Sequence, residues 1–105
     1  MNINSMKNYL ENVDDLKTAV ERLHGGKASY IEKIFVVEKF GSKTAWEGSV
    51  CLFRLEGHSQ TDLCYAWSVL TEGNKRRYYA VLHIPPIDSP EKAVRASIVH
   101  DQKQK

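Results

Sequence analysis

A chain of 105 residues with 42% apolar and 27% charged residues has the length and balance of one ordinary globular domain, which excludes wholesale disorder. Its formal net charge is +2 with acids and bases interspersed, so bulk electrostatics make no case for a nucleic-acid or membrane partner. No stretch approaches the ~18 apolar residues of a membrane span, and residues 1–15 lack the ~7–15 apolar residues of a secretory signal. The expectation is one cytoplasmic domain over residues 1–105, with the ends 1–11 and 101–105 frayed. Its two cysteines, Cys51 and Cys64, read as buried thiols.

The first element is helical. Leu10, Val13, Leu16, Val20 and Leu23, with Ala19 beside them, recur at steps of three and four and form one apolar stripe. Asn12 reads as the N-cap, with Asp14 and Asp15 in a first turn that favours negative charge. Arg22 and His24 fall in the last turn, and Gly25-Gly26 supplies the stop, which predicts a helix over 13–24.

Period-two patterning then takes over. Residues 30–40 are rich in β-branched and aromatic side chains and end at the turn cluster Gly41-Ser42-Lys43. A second strand is predicted over 44–56, where Gly48 signals a bulge or a close approach. A third follows over 63–69, in which Leu63, Tyr65, Trp67 and Val69 alternate with the smaller Cys64, Ala66 and Ser68. Glu72-Gly73-Asn74-Lys75 makes a hairpin connection to a fourth strand over 76–84, ended by Pro85-Pro86. Ser89-Pro90-Glu91 combines an N-cap serine, proline at the first helical position and an acid in the first turn, so a closing helix is predicted over 90–100.

The order α-β-β-β-β-α reads as an α+β fold: a four-stranded antiparallel meander with the two helices packed on one face. That arrangement leaves a difficulty. The first strand is apolar at both parities (Tyr30, Ile34 and Val36 against Ile31, Phe35 and Val37), whereas a sheet covered on one side alternates cleanly. Curling of the sheet, a second copy or a partner is then needed to cover the other face.

No motif carries chemistry. Cys51, His58, Asp62 and Cys64 lie close in sequence, yet their spacing lacks the paired short-range ligands of a structural zinc site. The other histidines, His24, His83 and His100, have no nucleophile and orienting group beside them. Gly25-Gly26-Lys27-Ala28 follows a helix and lacks the Ser or Thr of a phosphate loop, so it is a helix stop. No cofactor, metal or catalytic residue is expected.

Two clusters remain. Lys75, Arg76 and Arg77 followed by Tyr78 and Tyr79 place phosphate-attracting cations beside rings able to stack on bases, although alternation sends Arg77 and Tyr79 one way and Arg76 and Tyr78 the other. The closing helix adds Lys92 and Arg95. In outline this element order is similar to the double-stranded RNA-binding domain, which has three strands and whose second helix opens with lysines facing phosphates. Here Lys92 and Arg95 stand at that place with Glu91 among them. The second cluster is Trp46 and Trp67, on neighbouring strands, either a core pair or an aromatic interface.

Three functions follow as expectations. The first is a non-enzymatic interaction module that self-associates through its sheet or binds a protein partner, with no membrane partner. The second is a nucleic-acid-binding domain using Lys75, Arg76, Arg77, Tyr79, Lys92 and Arg95. The third is a small enzyme assembled from the scattered His58, Asp62, His83 and Cys51.

Overall fold

The computed structural model describes residues 3–103, with side chains described for residues 13–39 and 41–101. Its elements are α1 (Ile3–His24), β1 (Lys27–Phe40), β2 (Lys43–Glu56), β3 (Leu63–Leu70), β4 (Arg76–Leu82) and α2 (Pro90–Lys103). The strands form one antiparallel sheet in the order β1-β2-β3-β4. The expected α+β class, element order and meander are therefore present.

Both helices run longer than the sequence cues indicate. Helix α1 begins at Ile3 and passes through Asn12 rather than starting there. It stops where expected, because Gly25 and Gly26 both take positive φ. At Gly26 a Cβ would run into the Glu56 carbonyl oxygen, so glycine also permits the chain to cross β2 closely. Helix α2 opens as its cap predicts: the Ser89 hydroxyl accepts the Lys92 amide at 3.2 Å. It continues to Lys103, so Asp101 belongs to an ordered helix rather than to a frayed tail.

The helices do not share a face of the sheet. Leu16 and Val20 of α1 pack with Ala28, Cys51, Phe53, Leu55, Cys64 and Ala66. Ala93 and Val94 of α2 pack with Val36, Val50, Tyr65 and Trp67. Val50 and Cys51, like Leu52 and Phe53, are consecutive on β2 and so point to opposite sides. The expectation of both helices on one face is corrected on this ground. Helix α2 covers the Ile34 and Val36 side of β1, while Ile31, Phe35 and Val37 of the other parity stay exposed.

The sheet is uneven in length. Strands β1 and β2 pair over nearly their whole 14 residues, while β3 joins β2 only from Cys51 to Arg54. The distal β1–β2 hairpin thus extends as an arm past the rest of the sheet. Within it a Cβ at Gly48 would lie 2.9 Å from the Trp46 indole, so the glycine signal marks a ring folded across the strand.

Candidate functional site

The main chain offers two sheet edges. On the inner side, the Leu55 amide donates to the Asp62 carbonyl at 2.8 Å, which turns residues 51, 53 and 55 of β2 toward β3. Residues 48, 50 and 52 then face β1 and pair with Val36, Ile34 and Glu32, leaving the main chain of Phe35 and Val37 pointing outward. Among the described residues no strand lies beyond β1. Phe35 is 62% exposed, and Ile31 and Val37 are exposed beside it.

At the opposite edge, the His83 amide donates to the Leu63 carbonyl at 3.0 Å, so residues 77, 79 and 81 of β4 face β3 and residues 78, 80 and 82 face outward. His24 from the end of α1 confirms this direction: its Nε2 lies 2.7 Å from the Ala80 carbonyl oxygen. A carbonyl can only accept, so Nε2 carries the proton. A groove of about 310 Å³ follows this edge, lined by Leu23 of α1, Tyr78 and Ala80 of β4, and Ala96, Ser97 and His100 of α2.

The α2 side of the sheet holds an aromatic row. Trp46 meets Trp67 edge to face at 6.2 Å, and Trp67 stacks nearly parallel on Tyr79 at 5.2 Å. The Arg77 guanidinium lies 5.0 Å from the other end of the row, over Tyr79. Trp67 is 1% exposed and belongs to the core, and the half-buried Trp46 packs against it. Among the described residues the most exposed aromatic is Phe35, which the sequence marked only through the two-sided pattern of its strand.

Asp101 binds the end of this row. It accepts from the Tyr79 hydroxyl at 2.8 Å and from Arg77 at 3.1 Å. Burial is the first cause that raises the Tyr79 phenol above its ordinary pKa, and the bond to Asp101 adds to it. Assigning residues 101–105 to a tail hid Asp101. The available signal was its place on the α2 stripe, seven residues after Val94 and three after Ile98.

Three of the other proposed nucleic-acid contacts, Lys92, Arg95 and Arg76, are likewise engaged. Lys92 pairs with Asp88 at 2.9 Å, and that bond holds the Asp88 carboxyl below its usual range. Arg95 reaches Glu38 at 2.6 Å, covering a carboxylate that β1 buries on the α2 side. Arg76 donates to the Ser68 hydroxyl on the α1 side, and Lys75 is exposed at the turn. Arg76 and Arg77 point to opposite faces, as alternation requires.

The scattered residues do not converge. Cys51 and Cys64 are free buried thiols on the α1 side, and burial pushes Cys64 up to about 12. His58 caps its own loop by accepting the Gln60 and Thr61 amides at Nδ1. His83 shares a 2.6 Å hydrogen bond with the buried Tyr65 hydroxyl on the α2 side. Burial raises the Tyr65 phenol, with the Asp88 and Glu91 charges contributing. Among the described residues no group of three or more His, Cys, Asp and Glu side chains could hold a metal ion, and no helix is long and apolar enough to cross a membrane. The chain matches no family model, no curated protein and no solved structure.

Proposed function

We propose that the chain is a non-enzymatic interaction module that self-associates through the outer edge of β1. The observation that carries this reading is the arm itself: outward main-chain groups at Phe35 and Val37, with the exposed Phe35 side chain beside them. Such an edge is a template for another strand. A two-fold axis beside Phe35 would pair it with its own symmetry mate and join two sheets into one, the self-complementary contact that a dimer requires. The exposed Ile31, Phe35 and Val37 side chains lie along that same strand, so self-association is assigned to its edge.

Sedimentation equilibrium over a wide concentration range tests this. The chain is expected to form a dimer that dissociates on dilution, and Phe35→Lys to shift it to monomer. Val37→Pro, which removes an outward donor without touching the β1–β2 ladder, should do the same. A chain that stays monomeric at every concentration, or a dimer indifferent to both substitutions, overturns the reading. The nucleic-acid alternative has less support, since Tyr79 is stacked on Trp67 and Arg77, Lys92 and Arg95 each face a carboxylate.

A further inference from the structure

The two edges of the sheet are finished differently, and we infer, resting on the β1 reading for the dimer itself, that His24 guards the β4 edge and stops self-association at the dimer. An edge recruits another strand through its alternating outward carbonyls and amides. On β4 the outward residues are Tyr78, Ala80 and Leu82. Two of their three carbonyls are occupied: the His24 Nε2–H donates to Ala80 at 2.7 Å, and the Ile84 amide donates to Leu82 at 3.0 Å. At that distance the imidazole holds the position an incoming amide would take. A fifth strand would have to displace both donors or leave its own amides unpaired. Among the described residues the main chain of Phe35 and Val37 on β1 carries no such cover.

The two occupants differ in kind. The Ile84 bond is a local turn at the end of the strand, whereas His24 comes from the far end of α1, 56 residues away. Its place is built from several directions. The Glu21 carbonyl accepts the Gly25 amide at 2.9 Å and the Glu21 carboxylate accepts the Ala28 amide at 2.8 Å, which fixes the end of α1 against the start of β1. The His24 ring then meets the His58 ring edge to face at 6.3 Å, and His58 is itself held by the two amides of its loop. Leu23, next to it, walls the groove along this edge together with Ala96 and His100 of α2. The Tyr78 hydroxyl donates to Asp15 at 3.5 Å and ties the same edge to α1 a second time. Symmetry explains why a guard matters. One self-complementary edge gives a closed dimer, whereas a second on the same chain would join dimer to dimer in a string that never closes.

The test reads assembly size by sedimentation velocity, with each substitution made in the natural chain and in the Phe35→Lys chain. His24→Phe keeps a ring against His58 but has no donor, and should turn the dimer into larger assemblies that grow with concentration. His24→Leu, smaller and also without a donor, should do the same. His24→Gln keeps an N–H able to reach the Ala80 carbonyl, and should hold the dimer. In the Phe35→Lys chain, where the β1 contact is blocked, His24→Phe and His24→Leu should create a dimer through β4. Amide exchange should then slow at Tyr78, Ala80 and Leu82, and not at Phe35 and Val37. Donor-free variants that stay dimeric in the natural chain and monomeric in the Phe35→Lys chain would overturn the guard. So would His24→Gln assembling as freely as His24→Phe, since packing and not the hydrogen bond would then be the cause. A natural chain that is monomeric at every concentration counts against the β1 reading alone, and the guard is then decided by whether the donor-free variants associate through β4.

Discussion

The two faces of the sheet divide bulk differently between sheet and helix. Under α1 the sheet supplies Phe53 and Leu55 among the smaller Ala28, Cys51, Cys64 and Ala66, and the helix adds the large Leu16 and Val20. Under α2 the sheet supplies Trp67, Tyr65 and Tyr79, and the helix needs only Ala93, Val94 and Ile98. Interiors pack to a nearly constant density, so a small surface on one partner demands a large one on the other. The chemistry differs as well. The α2 side carries phenols that need partners and find them in His83 and Asp101, while the thiols of the α1 side are small hydrophobes.

The largest expected effect tests this division directly. Trp67→Ala should cost about 3–5 kcal/mol, because it opens the centre of the aromatic row where α2 has nothing large to fill the space. Leu16→Ala, the counterpart on the other side with the bulk on the helix, should cost about 2–5 kcal/mol. Both are read from urea unfolding with the same slope and one transition, since the two clusters share every strand between them. Separate transitions would mean that the faces are independent cores.

How much of this was legible follows from the range of the forces. Capping and periodicity act within a few residues, so Ser89-Pro90, Gly25-Gly26 and all four strands could be read along the chain. The face assigned to α2 could not, because the choice between two sides of a sheet is made by contacts distant in sequence. The pattern on β1 did register the demand for a second cover; it did not identify α2 as the cover. Asp101 and His24 were missed for the same reason: their partners, Arg77 and Tyr79 in one case and the Ala80 carbonyl in the other, lie 22 to 56 residues away. Trp46 and Trp67 were legible as a pair, while burial decided that Trp67 is core.

A smaller effect, set by pH, separates the faces by their titrating groups. Cys64 is raised by burial from 9.0 to about 12, so below pH 9 its thiol is neutral in both the folded and unfolded chains and its contribution to stability is fully present. Between pH 9 and 12 the unfolded chain loses that proton and the folded chain keeps it, so stability falls by up to about 1.4 kcal/mol per pH unit for this group. Urea midpoints measured across that window should fall steeply for the natural chain and less so for Cys64→Ala. The buried tyrosines of the α2 side add a later loss above pH 10 that this substitution leaves in place. An unchanged alkaline slope in Cys64→Ala would assign the lability to Cys51, which burial also raises, or to the phenols.

The smallest expected effect concerns the polar end of the aromatic row. Asp101→Asn removes the ion pair with Arg77, whose side chain is 55% exposed, and keeps an oxygen able to accept from Tyr79. An exposed pair of this kind contributes about 0.2–1 kcal/mol and is screened by salt, so the loss should shrink at high ionic strength. Tyr79→Phe removes only the hydroxyl bond, and the double variant gives the coupling between the two. Ultraviolet titration supplies the sharper reading. Burial is the first cause of the raised Tyr79 phenol and the bond to Asp101 the second, so in Asp101→Asn the phenol should still titrate above its ordinary value. A return to the ordinary value would mean that Asp101, and not packing between Trp67 and α2, sets the environment of that ring. The division of labour between the faces would then rest on one carboxylate rather than on bulk.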